Sequence, residues 1–515
     1  MNLIFSSTTP CTAYGLMPLN SDIYPAQDGF MALRIYDTSC RDKIDFVPLK
    51  EGQVSLYVCG LTVYDLPHIG HARTFVVFDM FRKMLRKLGY RVTLVRNHTD
   101  IDDKIIRRSR EEGCTPQALA DRMIDGLHHD MALIDVEPAD IEPRVTQHIP
   151  DIIAFIQKLF DNGHAYCAGQ DVYFDVTTYK DYGRFSNRNL DEMLEGVRIE
   201  LSDVKRNPAD FALWKGVQNQ DEPGWDSPWG YGRPGWHIEC SCMSTKYLSP
   251  SFDIHGGGRD LIFPHHENEI AQAHGAQAGA FARHWMHVGM VEINGEKMSH
   301  SLKNFWTIRD IAAQVHAEAL RYFFLTTHYR HSINFSQDTI AEATGRLTSL
   351  YRTLQSADEI IAAATRKDPA LTPDKDLSDA LIADFASALE DDLNTPKALA
   401  VLASAQGKAN ELMDARGKKK TEQIRAIMAY RLAIVTMGAY VGLFTREPDV
   451  ALAELRDLAV RRLNLDVAEI DRLIQERHLA RSEKNWTRSD EIREKLLAMG
   501  VQILDKPEGT VWQVC

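Results

Sequence analysis

The chain has 515 residues, with 59 Lys and Arg against 72 Asp and Glu, a formal net charge of −13. Its 44% hydrophobic and 25% charged content excludes a wholly disordered chain, and at about 100–200 residues per domain the length predicts three or four domains. The acidic balance argues against indiscriminate coating of nucleic acid but leaves room for a local basic groove.

The most apolar stretch, residues 432–445, is shorter than the roughly 20 residues a membrane span needs, so no membrane segment is expected. Residues 1–30 contain no Lys or Arg, which disfavours a secretory or mitochondrial leader. Residues 1–31 are therefore expected to be an extension, disordered or the product of an upstream start. Eight cysteines (Cys11, Cys40, Cys59, Cys114, Cys167, Cys240, Cys242 and Cys515) are too sparse and uneven for a disulfide scaffold. A reducing cytoplasm fits them, with any special cysteine serving metal or chemistry.

In chain order, residues 54–59 predict a buried strand and 60–71 a loop. Phe75, Phe78, Phe81, Leu85 and Leu88 then recur at helical spacing up to Gly89, and 91–97 predict a second strand. Strand, helix and strand in so short a span make a parallel crossover unit, whose ligands sit beyond the carboxyl ends of the strands. Residues 166–213 read as an irregular insertion with a strand at 171–176. The Gly-, Pro- and Trp-rich residues 224–235 read as an ordered loop. Asn294-Gly295 marks a hairpin. Residues 339–444 are helical with a break at 417–420, and the final segment ends in strands at 501–504 and 510–514. No internal repeat or low-complexity tract is present.

Several groups of residues carry possible chemistry. His68-Ile-Gly-His71 lies where a helix N-terminus would offer free N–H groups to phosphate, and Gly70 would let a flat base approach. Alone it is equally a polar loop. Lys297-Met-Ser-His-Ser301 places a lysine that could neutralise polyphosphate, although by itself it is an everyday surface loop. Cys59, Cys240, His265 and Glu269 suit zinc in type and number, with His265 and Glu269 expected on one side of a helix. Their wide separation leaves buried structural cysteines and a solvated helix as the plainer alternative. His255-Gly-Gly-Gly-Arg-Asp260 could bring backbone near a ligand or be an ordinary turn. Trp236 could wall a small pocket or sit in the core.

Taken together and in this order, the motifs resemble the class I aminoacyl-tRNA synthetases, and within them the cysteinyl-tRNA synthetase family. His68–His71 and Lys297–Ser301 are similar to the two signature motifs of the class. Tyr57 to Tyr64 (YVCGLTVY), Asn97 to Lys104 (NHTDIDDK), Gly235 to Cys240 (GWHIEC) and Phe263 to Glu269 (FPHHENE) resemble the cysteine-specific members. So do Leu320 to Phe324 (LRYFF) and Arg481 to Trp486 (RSEKNW).

The resemblance implies an α/β fold: a Rossmann-like parallel-sheet catalytic domain in two halves (32–163 and 216–290) split by a connective insertion (164–215). A signature-loop and stem-contact segment (291–338), a helical tRNA-binding bundle (339–450) and a small α/β anticodon-binding domain (451–515) would follow. It implies one Zn2+ per chain held by Cys59, Cys240, His265 and Glu269. ATP, with Mg2+, would be contacted by His68, Gly70, His71, Lys297 and His300, of which the two signature histidines, Lys297 and His300 are the catalytic set. Thr99, Trp236 and Asp260 would lie near the amino acid. The implied reaction joins L-cysteine to tRNA(Cys) through an adenylate, in a cytoplasmic monomer without membrane contact, and zinc would select the substrate thiolate over serine.

One departure stands out. His300 occupies the place of the family's second lysine and supplies less charge near neutral pH. Lys303, where the family pattern has glycine, is expected to restore part of it. The rival readings are a ligase that joins activated cysteine to an amino sugar, a non-catalytic RNA-binding paralogue and a purely structural zinc protein.

Overall fold

A computed structural model describes residues 33–188, 204–217, 222–276, 281–297, 305–506 and 509–514. The first predicted strand runs over Gln53–Val58 (β1). The segment bearing Phe75, Phe78 and Phe81 is the helix Ile69–Lys87 (α1), and Gly89 at φ 89° turns the chain into Arg91–Val95 (β2). β1 and β2 pair in parallel, from Gln53 opposite Arg91 to Tyr57 opposite Val95. After the helix Trp236–Leu248 (α2), the strand Phe252–Gly258 (β3) pairs in parallel with the other edge of β1. After Glu267–Ala276 (α3), Ala282–Val288 (β4) completes the order β4-β3-β1-β2. The connections diverge between β1 and β3, so the carboxyl ends of these two central strands form the crevice where such sheets bind ligands.

The glycine run 256–258, weighed above as a turn, lies at the end of β3, where Gly256 and Gly257 are buried. Packing requires this: a Cβ on Gly256 would stand 2.1 Å from Cζ of Phe78, so only glycine lets α1 lie so close on the sheet. The 224–235 segment also differs from expectation. Gly232–Pro234 is the edge strand of an antiparallel sheet with Phe211–Gly216, Asp171–Phe174 and Ala165–Ala168, so the insertion's sheet reaches past residue 215. Trp214 packs against Gly232, where a Cβ would meet its indole Nε1 at 2.4 Å, and Pro234 suits an edge because it has no N–H to donate.

The predicted hairpin forms. Asn294 (φ 50°) and Gly295 (φ 81°) turn Val291–Ile293 into Glu296–Lys297, and Ile333–Phe335 pairs in parallel on the other side. Five helices follow: Gln337–Thr365, Lys375–Glu390, Thr395–Asp414, Thr421–Val441 and Pro448–Leu463. Beyond them Val467–Ser482 and Trp486–Ala498 pack on the hairpin Val501–Lys506/Gly509–Val514. One apolar core joins α1 to this half, with Phe81 and Leu85 in the same buried cluster as Phe323, Ile434 and Met437.

The apolar segment at 432–445 corrects the length argument made from sequence. Its helix, Thr421–Val441, has 21 residues and is long and apolar enough to cross a membrane. Here Ile427, Ala433, Ile434, Met437 and Val441 bury its inner face in the bundle, which accounts for the same composition. The six described cysteines are free thiols.

Candidate active site

Cys59 immediately follows β1, and its N–H donates to the Gly256 carbonyl of β3 at 3.1 Å, which fixes it at the carboxyl edge of the sheet. Cys240 comes from α2, Glu269 from α3 and His265 from the turn before α3. Their four ligand atoms lie within 4.8 Å of one another and all four residues are buried. The two sulfurs are 3.8 Å apart, Cys59 Sγ is 3.4 Å from Glu269 Oε1, and His265 Nε2 is 3.1 Å from the same oxygen. His265 and Glu269 meet as spacing predicted, but not within a regular helix. A wide turn over Ile262–His266, with Phe263 extended and a cis Phe263–Pro264 bond, leads into α3.

Two softer and two harder donors in a dry pocket are a chemically reasonable zinc set. The protons already present respond to the same geometry. Burial alone would raise Glu269, but the imidazoles of His255 and His265 hold it down at about 2. Burial raises the Cys59 thiol, and its hydrogen bond to Cys240 adds to the shift, whereas the Cys240 sulfur, accepting that bond, is lowered despite its burial. The carboxyl and one sulfur are thus both shifted toward the deprotonated forms that bind a cation, while the same neighbours raise His265, whose proton a metal ion would displace.

Sequence reasoning missed the layer around them. His255 Nε2 binds Glu269 Oε2 at 2.8 Å, and His237 Nδ1 lies 2.9 Å from Nδ1 of His265. His266 Nε2 stands 3.4 Å from Cys59 Sγ, while its Nδ1 meets His287 at 2.8 Å. Cys59, His255, His266 and Glu269 thus form a second, overlapping group of possible ligands. Because His255 Nε2 already engages the carboxylate, it is better placed to orient Glu269 than to bind beside it. The signal available in the sequence is the density of histidine itself, at 237, 255, 265, 266 and 287.

Thr99 is buried and donates to Glu239 Oε2 at 2.6 Å. Trp236, 38% exposed, stacks on His265 with ring centroids 4.3 Å apart, so it forms a wall of the site rather than a core residue. Asp260 is exposed on the turn Arg259–Leu261 just past β3.

His68 is the N-cap of α1. Its Nδ1 accepts the N–H groups of Gly70 (3.1 Å) and His71 (3.3 Å), and His71 Nδ1 accepts the His68 N–H at 3.3 Å. The Ile69 N–H donates to the Trp306 carbonyl. The free backbone donors expected at this helix mouth are therefore all used. What the two histidines offer instead is ring Nε2–H, because each Nδ1 is committed as an acceptor. The rings stack at 3.6 Å, and burial together with the neighbouring His68 lowers His71 well below the usual histidine range, keeping it neutral.

The segment just after the second signature docks here. His68 and Thr307 form a backbone bridge, and Ile308 N–H reaches the Pro67 carbonyl at 3.0 Å. Lys297 ends the hairpin, opposite Glu292. His300 and Lys303 lie outside the described residues. A second link went unread in the sequence. Arg73, two residues past His71 and buried, donates Nη1 to the carbonyls of Gly289 and Met290 (both 2.8 Å). Its Nη2 reaches those of His331 (2.6 Å) and His328 (3.4 Å). These carbonyls precede the two strands that carry the hairpin. A Cβ on Gly289 would stand 2.3 Å from the His331 carbonyl oxygen, so glycine lets both segments reach one guanidinium.

Comparison with known proteins matches residues 45–345 to the model of the tRNA synthetases class I (C) catalytic domain, 384–445 to the DALR domain and 467–512 to the cysteinyl-tRNA ligase anticodon binding domain. A cysteine--tRNA ligase of Anaeromyxobacter dehalogenans is 48% identical over 491 residues, 94% of this chain and 100% of that one. The cysteine--tRNA ligase of Geobacter sulfurreducens is 48% identical over 489 residues, with the same coverage. Among solved structures, a Mycobacterium tuberculosis methionyl-tRNA synthetase in complex with methionyl-adenylate aligns over 76% of this chain and 92% of its own, with a TM-score of 0.60 and 16% identity, a likeness of fold.

Proposed function

The chain belongs to the cysteine--tRNA ligases of the class I aminoacyl-tRNA synthetases, and from that we propose that it joins L-cysteine to tRNA(Cys), using ATP and passing through a cysteinyl-adenylate. The observation that carries this reading is the buried convergence of Cys59, Cys240, His265 and Glu269 at the carboxyl edge of β1 and β3, beside the mouth of α1.

These four residues would hold one Zn2+, with His255 and His237 orienting Glu269 and His265. Bound there, zinc would supply a soft electrophilic contact that accepts a thiolate far better than a hydroxyl, so serine is rejected without a separate editing site. The Thr99–Glu239 hydrogen bond and the Trp236 face would shape the rest of the amino-acid pocket, and Asp260 offers a carboxylate to a substrate ammonium or a ribose.

Adenylate formation is in-line attack of the cysteine carboxylate on the α-phosphate of ATP, with Mg2+ accompanying the nucleotide. Negative charge builds on the phosphoryl oxygens and the departing pyrophosphate, so catalysis needs positioned donors and cations rather than a covalent enzyme intermediate. His68 and His71 donate from Nε2, Gly70 between them leaves room for the nucleotide, and Lys297 and His300 of the second signature bring charge. A hydroxyl of the terminal ribose of the tRNA then attacks the acyl carbon of the adenylate, forming the ester and releasing AMP. The helices from Gln337 onward would hold the tRNA and the C-terminal unit would read the anticodon; an anticodon-domain match over 467–512 supports this acceptor over an amino sugar. We read the enzyme as a cytoplasmic monomer and the domain limits as those expected from sequence, except that the insertion extends to Pro234, the edge strand of its sheet.

Cysteine-dependent pyrophosphate–ATP exchange, measured with metal content, tests the proposal. Loaded enzyme should exchange with cysteine and not serine, and Cys240→Ser should lose both zinc and exchange. Chelated enzyme that kept its full preference for cysteine would refute zinc selection, and metal-loaded enzyme without exchange would refute the catalytic reading.

A further inference from the structure

We propose that His98, His128 and Glu142 form a second site, for a divalent transition-metal ion, built from none of the residues of the Cys59–Cys240 cluster. The three residues come from separate elements: His98 from the short strand His98–Thr99, His128 from the helix Pro116–Leu133 and Glu142 from the segment before Val145–Gln147. Backbone contacts hold two of them side by side, since the Arg96 N–H donates to the Ile141 carbonyl at 3.0 Å and the His98 N–H to the Pro143 carbonyl at 2.8 Å.

The carboxylate of Glu142 is divided between two tasks. Its Oε1 accepts from Arg96 at 2.8 Å and from the Ala139 N–H at 3.1 Å. Its Oε2 faces two imidazoles, with His128 Nε2 at 2.6 Å and His98 Nε2 at 3.4 Å. All three ligand atoms lie within 4.8 Å of one another. The arrangement is that of a carboxylate oriented by an outer partner so that one oxygen is presented inward.

His98 supplies the independent observation. It is 2% exposed, yet neither ring nitrogen meets hydrogen-bond geometry: Nε2 lies 3.4 Å from the shared oxygen, within ion-pair range, but its N–H is not aligned on it. A buried imidazole left without an aligned partner is unfavourable. An ion bridging His98, His128 and Glu142 would satisfy it. His128, with a side chain 45% exposed, opens the site to solvent for a water ligand and can move outward to lengthen its own contact to the distance metal coordination requires. Two imidazoles and one carboxylate select zinc, cobalt or nickel over magnesium and calcium, which prefer oxygen shells. The Arg96 guanidinium beside Glu142 opposes a dication, so micromolar rather than structural affinity is expected. Occupied, the site would tie the strand carrying Thr99 to the helix Pro116–Leu133.

The experiment is calorimetric titration of Co2+ into zinc-loaded enzyme, with zinc content assayed before and after. One further ion per chain should bind at about micromolar Kd while the zinc is retained. His128→Ala, at a half-exposed position, should weaken that event at least 30-fold and leave cysteine-dependent exchange unchanged. His98→Phe should do the same to binding and serves as the second variant. A wild-type enzyme that takes up no additional Co2+, or an unchanged isotherm in His128→Ala, overturns the proposal and leaves a plain imidazole–carboxylate hydrogen bond.

Discussion

Replacing Arg73 by lysine tests whether one buried side chain spaces the two signature motifs proposed to hold ATP. The guanidinium makes four hydrogen bonds to carbonyls at the roots of the strands behind the Lys297 hairpin, three of them at 2.6–2.8 Å. An ammonium has three donors on a compact head and cannot span both Gly289–Met290 and His328–His331 as the fork does. At about 1.5–3 kcal/mol per charge-assisted bond, losing one or two costs about 2–4 kcal/mol, toward the lower end because Met290, His328 and His331 are only partly buried or exposed. About 1.4 kcal/mol is a factor of ten in an equilibrium. If half of the loss appears as a hairpin displaced from His68 and His71, KM for ATP in pyrophosphate exchange should rise about tenfold, with the urea midpoint also falling. Zinc content and the affinity for cysteine, set by β1, α2 and α3, should stay within twofold. Gly289→Ala, which pushes the same segments apart from the other side, should give the same signature and be less than additive with Arg73→Lys. Wild-type KM for ATP in a folded Arg73→Lys enzyme would refute the reasoning.

Gly256→Ala should destabilise the catalytic sheet by about 1–3 kcal/mol in urea, and Phe78→Leu should recover part of it by removing the ring the new methyl meets; no recovery would dismiss that contact as the cause. Burial raises Glu390 to about 7. Its folded pKa lies above the unfolded value, so stability is fully present below about pH 4 and is lost as pH rises through 7. Glu390→Gln should accordingly be neutral at pH 4 and stabilising at pH 8, and a pH-independent difference would contradict this. In the second signature, Lys303→Ala should slow exchange severely and His300→Ala mildly; the reverse ranking would refute compensation by Lys303.

Much of the site was legible because its residues obey local rules. The buried-strand composition of β1, the apolar spacing of α1 and Gly89 at its end define the crossover unit, and a crossover unit determines where a ligand sits. The paired signatures stand in a fixed order, and Asn294-Gly295 is sufficient for its hairpin. The four proposed zinc ligands were chosen by type, and two of them, His265 and Glu269, by spacing as well. Spacing anticipated that these two would meet, but through a different local geometry, since a wide turn and an extended Phe263 replace the regular helix.

What sequence determined, then, were the elements and the chemical types available, because backbone periodicity and donor identity are local properties. Only the tertiary structure decided which types meet. Arg73 reads as one more charge on a helix until four carbonyls from two distant segments surround it. His255 reads as the start of a turn until β3 is buried and its ring meets Glu269. His98 lies beside Thr99, and nothing in its neighbours in sequence predicts that His128 and Glu142 converge on it. These encounters are long-range: each depends on helices and strands packing at distances fixed by whole surfaces, down to a single missing Cβ at Gly256, and no window of sequence contains that information.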